Sequence, residues 1–343
     1  MKEKINARMI VLAREARSLN QHALAGFINI SATNLSKIER GDIGISEEML
    51  KAIAGTTGFP IHFFHQPGNI VPEHLGYRKR NTVAQRLLSP INAKANILRR
   101  HVQFFTNALQ VGLPPLPSIE MKDTPGAEAA AELLRTRMQL EPGPIENLTQ
   151  ILEALNIPVL CFDFGTERVD SRSLFTDEHH PIIFLNSRLL GDRQRFSLAY
   201  ELAQLVMHST CSLSPERDIS HEANHFAAAL LMPRDAISED FKNGITISLL
   251  GELKKKWKVS MIALLYRADD LGCITPNQKR YLLQQFNQLQ NRRREPMELD
   301  IPFEQPRLMK KWIADYQSMT GLNLSDIAAL LCLNLDEFLQ LYA

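Results

Sequence analysis

The segment from Arg195 to His208 has the pattern of a buried helix and constrains the fold most strongly. Its apolar residues recur at intervals of three and four positions, which places them on one face of a helix; they are Leu198, Leu202, Leu205 and Val206. On another face, Tyr200 and Gln204 lie four positions apart, with Glu201 between them. We therefore expect a helix that buries one side and presents polar groups on the other.

The spacing of these polar residues is that of the zinc-binding sequence His-Glu-x-x-His. There, two histidines one turn apart bind one metal ion and the glutamate activates a water molecule. In this chain Tyr200 and Gln204 stand at the two histidine positions. A neutral glutamine is a poor zinc ligand, and a phenol must lose a proton with a pKa of about 10 before it binds well.

Two blocks of sequence around this helix carry a longer pattern. The first begins Arg-Phe-Ser-Leu-Ala at Arg195 and ends at His208; the second runs from Glu222 to Pro233 and reads Glu-Ala-Asn-His-Phe-Ala-Ala-Ala-Leu-Leu-Met-Pro. Together they resemble the ImmA/IrrE metallopeptidase family, and the resemblance continues to about residue 275. It implies a zincin-like α+β fold of helices around a small sheet.

The resemblance also implies roles for single residues. Glu201 stands at the position of the general base and Glu222 at that of the third zinc ligand, while Tyr200 and Gln204 replace both histidines. Ser171 stands where the family often has glycine. We therefore predict the peptidase fold without peptidase chemistry: Glu201 is a vestigial base, the metal positions are vestigial, and neither a metal nor another cofactor is bound.

A different metal site is the main alternative. Four potential ligands cluster in sequence around the helix, namely His208, His221, Glu222 and His225. A peptidase with a metal site rearranged onto these residues would cleave a protein partner such as a repressor. Spacing alone does not show whether the four side chains converge.

Residues 20 to 41 predict two short helices joined by a tight turn. Asn20 and Ser31 are favourable caps for the two helices, and Gly41 ends the second. Asn29 falls in the turn, where its side chain tolerates a positive φ. A further helix is expected from Ser46, before an aromatic segment at residues 59–64.

This block resembles the Xre/Cro-like helix-turn-helix family, which implies sequence-specific DNA binding. The matching residues are Gln21, Leu24, Ala25, Ile30, Ser31, Leu35, Ser36, Ile38, Glu39, Arg40 and Gly41. In such motifs the second helix enters the major groove while the preceding helix contacts phosphate. The DNA-facing residues are therefore predicted to be Gln21, Ser31, Ala32, Thr33, Asn34, Ser36, Lys37 and Arg40.

Within that surface, Asn34 suits a bidentate contact to adenine and Thr33 a contact to a thymine methyl group. Gln21 would hold the DNA backbone, with Ser36 and Arg40 near phosphate. Two alternatives stay open: Arg40 pairs with an acidic neighbour instead of DNA, or the whole motif serves only protein contacts.

Charge agrees with a nucleic-acid partner for the first part of the chain. Residues 1–80 contain five lysines and six arginines against seven acidic residues, although the whole chain has a formal net charge of +1. The amino-terminal part is therefore the basic one.

There is no apolar run of about twenty residues to span a membrane, and we expect a soluble cytoplasmic protein. The four cysteines are widely spaced without a C-x-x-C pair, so no disulfide framework is predicted.

The expected architecture is mainly α with a small sheet. A helix-turn-helix domain occupies residues 1–68 and ends at a turn, Gln66-Pro-Gly-Asn69. A helical linker follows at 69–118, with one long or two shorter helices and a basic stretch, Leu75 to Arg80, interpreted as a solvated joint rather than a phosphate contact. The peptidase-like domain spans 119–275, with strands at 157–162 and 181–186. A helical segment at 276–343 includes an exposed turn at 287–294 and a final helix pair that serves packing or dimerisation.

From these elements we predict a transcription regulator that binds an inverted-repeat operator as a homodimer. Its peptidase-like domain would act as a sensor or partner-binding module for a protein or small molecule. Besides the rearranged peptidase, a second alternative is an antitoxin-like or ligand-binding module that does not touch DNA.

Overall fold

The computed structural model describes residues 5–68, 70–71, 77–79, 83–119, 126–208, 217–288 and 294–342. Asn69, Cys211, residues 289–293 of the predicted exposed turn, and Leu75, Gly76 and Arg80 of the basic stretch lie outside these ranges. Most of the described chain is helical, and four strands form a small sheet. The predicted fold class is confirmed.

The first domain contains α1 (Ala7–Ala16), α2 (Gln21–Phe27), α3 (Ala32–Arg40) and α4 (Glu47–Thr57). The predicted caps are present: the Asn20 side chain accepts the Ala23 amide at 2.8 Å, and Ser31 Oγ accepts the Asn34 amide at 3.1 Å. Asn29 has the predicted positive φ, at 55°. The aromatic segment forms a 3₁₀ turn, Ile61–His65, which buries two phenylalanines. Local sequence signals were therefore sufficient to predict the helices and the turn of this domain.

The sheet has the strand order β1-β3-β4-β2. The strands are β1 (Tyr77–Lys79), β2 (Val159–Phe162), β3 (Val169–Phe175) and β4 (Pro181–Asn186). β3 is antiparallel to both of its neighbours, while β2 and β4 are parallel. The two predicted strands correspond to β2 and β4. The central β3 was not predicted, because its serines and charged residues give no apolar alternation.

Helices cover one face of the sheet and form the core of the peptidase-like part. They are α6 (Ala127–Arg137), α7 (Leu148–Ala154), α8 (Gly191–Ala203), α9 (Ile219–Leu231), α10 (Arg234–Phe241), α11 (Ile247–Trp257), α12 (Met261–Asp270) and α13 (Pro276–Gln288). The predicted buried helix is α8, which continues as a π-helical turn over Gln204–His208. Its apolar face is buried as expected.

The other face of the sheet packs against a second core. This core joins α1–α4 to α5 (Gln85–Ala108) and to α14 (Leu308–Thr320), α15 (Leu324–Leu330) and α16 (Leu335–Tyr342). The predicted linker helix is thus one 24-residue helix within a hydrophobic core. The carboxy-terminal helices pack within the same chain, against α5 and the helix-turn-helix domain.

Polar contacts fix the carboxy-terminal helices to the first domain. Arg17, directly after α1, donates two 2.8 Å hydrogen bonds to the Glu337 carboxylate on α16. The Asn334 side chain donates to the Gly58 carbonyl at 2.7 Å, where α4 ends. Within the described ranges, no helix is both long enough and apolar enough to cross a membrane.

Candidate functional site

Glu201 is fully buried on α8, between Tyr200 and Gln204 in sequence. The hydroxyls of Ser171 and Ser173 on β3 donate to its two carboxylate oxygens, at 2.6 and 2.7 Å. Burial raises the pKa of Glu201 to about 7, against the lowering effect of the two hydroxyls. Both carboxylate oxygens are thus engaged by the protein's own side chains.

Tyr200 and Gln204, the residues aligned with the two histidines, lie one helical turn apart where α8 passes into the π-helical turn. Tyr200 is 4% exposed, and its hydroxyl lies 3.3 Å from Ser220 Oγ on α9. Burial raises the pKa of the Tyr200 phenol, which favours its neutral form. Gln204 Oε1 lies 3.1 Å from His208 Nδ1, one turn further along the helix.

Glu222, at the third ligand position, is held by two basic side chains. Arg217 donates to both of its carboxylate oxygens, at 3.0 and 2.5 Å, and His208 Nε2 lies 2.9 Å from Oε2. The Arg217 hydrogen bond is the main cause that lowers the pKa of Glu222. Arg217 was not identified from the sequence as part of this site.

These residues do not fit the zinc ion that the peptidase fold implies. Zinc in such a site is bound by anionic or imidazole donors, whereas Tyr200 is a neutral phenol and Gln204 a neutral amide. The charge of Glu222 is already balanced by Arg217. The three positions lie together in a hydrogen-bonded network that contains no complete set of metal donors among the described residues.

The rearranged metal site is not assembled either. The four residues considered for it form two separate pairs: His208 contacts Glu222, and His221 contacts His225 on the exposed side of α9. Among the residues that the structure describes, no three His, Cys, Asp or Glu side chains converge as metal ligands. The four residues are close in sequence, but their side chains do not meet at one metal site.

Arg78 is a further member of the site that was missed from the sequence alone. It was interpreted as part of a solvated basic joint, but β1 pairs with β3 and places Arg78 opposite Ser171. Its guanidinium lies 4.8 Å from the Phe196 ring centroid and 5.2 Å from that of Tyr200, and it donates to Ser197 Oγ at 2.7 Å. Burial lowers the pKa of Arg78. A cation thus covers the ring at the first histidine position.

The predicted DNA-facing surface lies on α3. Ser31, Thr33, Asn34, Lys37 and Arg40 are exposed there, and Ala32 and Ser36 are half-buried. The core positions of the motif, Leu24, Ala25, Leu35 and Ile38, are buried as expected.

Two of the residues predicted to contact phosphate pair with acidic side chains in the chain without DNA. Gln21 donates to the Glu39 carboxylate at 2.7 Å, and Glu39 is itself paired with the buried Arg14. Arg40 pairs with Asp42 at 2.8 Å on the surface, which is the alternative considered for it. Because the Arg40–Asp42 pair is exposed, it is weak enough for Arg40 to exchange partners.

Two parts of the chain match the sequence models of known families. Residues 10–64 match the sequence model of the helix-turn-helix family, and residues 152–269 match that of the IrrE N-terminal-like domain. The chain therefore carries an Xre-like helix-turn-helix domain and an ImmA/IrrE-like domain.

Two curated relatives are similar to part of the chain. The radiation response metalloprotease IrrE of Deinococcus radiodurans is 32% identical over 102 residues, and that of Deinococcus deserti is 30% identical over 102 residues. Each match covers 26% of this chain, and 31% and 36% of the two relatives. The matched region thus spans about a third of the length of these relatives.

Proposed function

We propose that this protein is a DNA-binding regulator whose ImmA/IrrE-like domain has lost zinc and peptidase activity and acts as a sensor or partner-binding module. The observation that carries this proposal is the ion pair between Arg217 and Glu222. It neutralises the acidic residue that is present at a ligand position, beside a phenol and an amide at the other two.

The state of Glu201 supports the absence of hydrolysis. A general base must lie within reach of the water whose proton it takes. Both oxygens of Glu201 instead accept hydrogen bonds from Ser171 and Ser173, in a fully buried position. Glu201 serves as a structural carboxyl group in this proposal.

The recognition surface on α3 supports sequence-specific DNA binding. Asn34 and Thr33 lie in its first turn with exposed side chains, the position from which a recognition helix contacts base edges. Lys37 is exposed one turn further on and is available for phosphate. We propose that a homodimer places two such helices on an inverted repeat, with half-sites about one helical turn apart.

β3 connects the peptidase-like part to the helix-turn-helix domain through α5. Ser171 and Ser173 face Glu201, and Arg172 between them points to the opposite face of the sheet, as alternation in a strand requires. There Arg172 donates to the Asn92 side chain on α5, the helix that packs against α1. A molecule that binds the peptidase-like domain and displaces β3 would thus move α5, which supports the helix-turn-helix domain. It would change the affinity for DNA by the difference in its own affinity for the two domain arrangements.

The proposal is tested by selecting binding sites from random duplex DNA with the full-length protein. We expect one inverted-repeat sequence. Against that site, Asn34→Ala should cost about 1–3 kcal/mol and relax the preference at one base pair. Lys37→Ala should reduce the slope of log affinity against log salt concentration by about one, the value for one lost phosphate contact. It should not change the preferred sequence. Lys311→Ala, an equally exposed lysine on α14, is the matched control.

The two alternatives give different outcomes. A chain that only binds protein or a small ligand would select no DNA sequence, and neither α3 variant would change its behaviour. A peptidase would cleave a partner protein in a chelator-sensitive reaction. In our proposal Tyr200→His with Gln204→His restores zinc binding only when Arg217 is also replaced, because Arg217 competes for Glu222.

A further inference from the structure

His221 and His225 form an imidazole pair on the outer side of α9. They lie one helical turn apart, and their Nε2 atoms are 3.0 Å from each other, with ring centroids 4.2 Å apart. His221 is exposed and His225 is half-buried. The two Nε2 atoms share a hydrogen bond, so an ion that replaces its proton would contact both nitrogens at the protein surface, outside the network that holds Glu222.

We propose that this pair binds one divalent transition-metal ion, with Cu²⁺ as the preferred ion. Imidazole nitrogens bind such metals at about 2.0–2.1 Å. Two nitrogens 3.0 Å apart then subtend an angle of roughly 95° at the metal, by triangulation from that bond length. This is close to the right angle of tetragonal coordination, which Cu²⁺ prefers, and smaller than the angle in a tetrahedral zinc site.

A neighbouring carboxylate is placed to orient one of the rings. Asp270 at the end of α12 has Oδ2 3.9 Å from His225 Nδ1, the nitrogen on the far side of the ring from the pair. Carboxylates beside the second nitrogen of a metal-binding histidine fix the orientation of the ring and strengthen the ligand. At 3.9 Å the Asp270 carboxylate attracts the far side of the His225 ring without a hydrogen bond, while Nε2 faces His221.

The site is distinct from the remnant peptidase site. Glu222 is the next residue after His221, but its carboxylate is engaged by Arg217 and His208. Within the described part of the chain, no third His, Cys, Asp or Glu side chain joins the two histidines, so water would complete the coordination. Binding would clamp the first two turns of α9, the helix that also carries Ser220 of the remnant site.

The test is a calorimetric titration of Cu²⁺ into the untagged full-length protein in a non-coordinating buffer. We expect one ion per chain, bound more tightly than Zn²⁺, and a higher melting temperature on binding. His221→Ala and His225→Ala should each weaken binding by at least about tenfold, the scale of losses seen even for residues outside the ligand set. These side chains are accessible, so we expect both variants to fold.

Two control variants distinguish the histidine pair from copper binding elsewhere on the chain. His22→Ala removes a single exposed histidine on α2 and should leave Cu²⁺ affinity unchanged. Glu222→Gln changes the remnant site and should also leave it unchanged. Undiminished copper binding by the His221→Ala, His225→Ala double variant would overturn the proposal, as would a loss of binding in Glu222→Gln.

Discussion

At the scale of single residues, cations hold two of the three positions aligned with zinc ligands. Arg217 balances the charge of Glu222, and the Arg78 guanidinium covers the neutral Tyr200 ring. Glu201 is different, because its main contacts are two neutral hydroxyls in a fully buried position. Ionisation of Glu201 should therefore lower the free energy of unfolding by a measurable amount.

Glu201→Gln should become more stable relative to the natural protein as the pH rises. The pKa of Glu201 is raised from 4.5 to about 7 in the folded state, so the folded protein binds more protons than the unfolded chain between these values. Its contribution to stability is full below pH 4.5 and is lost as the pH rises to 7. The variant should gain about 3 kcal/mol relative to the natural protein between about pH 4.5 and 8.

Denaturant unfolding of both proteins at several pH values measures this difference directly. All other ionisable groups are shared, so the difference isolates Glu201. A difference in unfolding free energy that stays constant with pH would contradict the assignment of a raised pKa to this carboxyl group.

The sequence identified part of the site and missed the rest for a physical reason. Helical spacing places Tyr200, Glu201 and Gln204 on one turn, and the resemblance to a known family singles them out together with Glu222. Arg78 and Arg217 belong to the site only because the fold brings them there. Nothing in the local sequence around Arg78 distinguishes a cation packed on two aromatic rings from a solvated one.

At the scale of elements, local signals were sufficient for the helix-turn-helix and insufficient for the sheet. Caps and turn residues act within a few positions, which is why Asn20, Asn29 and Ser31 have their predicted roles. β3 is stabilised by partners far away in sequence: Asp170 pairs with Arg193, and Arg172 with Asn92. These partners offset the cost of burying Asp170 and Arg172. The same two charged residues hide the strand pattern in the sequence.

The turn between α2 and α3 gives a prediction about Asn29. Its φ of 55° lies in the left-handed region, so Asn29→Ala should lower the unfolding free energy by about 1 kcal/mol, while Asn29→Gly should be tolerated. Thermal unfolding of both variants checks this. Equal stability of the alanine and glycine variants would contradict the strained geometry at this position.

The contact from β3 to α5 gives a second prediction at this scale. Asn92→Ala removes a side-chain acceptor of the fully buried Arg172 guanidinium, and should cost about 1–3 kcal/mol. Asn107→Ala, at the exposed end of the same helix, should cost less than about 0.5 kcal/mol. Chemical denaturation compares the two, and similar losses would show that the Arg172–Asn92 contact is not important for stability.

At the scale of the whole molecule, two hydrophobic cores share the sheet between them. One joins the DNA-binding domain, α5 and the last three helices, and the other fills the peptidase-like part. The sequence predicted the helices of the carboxy-terminal segment but not where they pack, because an amphipathic pattern specifies a buried face and not its partner. The DNA-binding domain is thus built into the larger structure.

Phe338 tests this integration. It is 1% exposed on α16, so Phe338→Ala should cost about 3–5 kcal/mol through the cavity that it leaves. Amide hydrogen exchange should then increase in α1 and α4 as well as in α16, because these helices share one core. Leu339→Ala, the half-exposed neighbour, should have little effect. Faster exchange confined to α16 would contradict a common core.

The central claim is that the peptidase-like domain works without zinc, and elemental analysis of the purified full-length protein tests it most directly. The His221→Ala, His225→Ala double variant should be measured beside the natural protein, with chelator-treated samples as controls, so that metal on the exposed histidine pair is not counted. We predict well below one zinc ion per chain in the double variant. About one zinc ion per chain in that variant, removable by chelator, would show that Tyr200, Gln204 and Glu222 still form a metal site and would contradict the account.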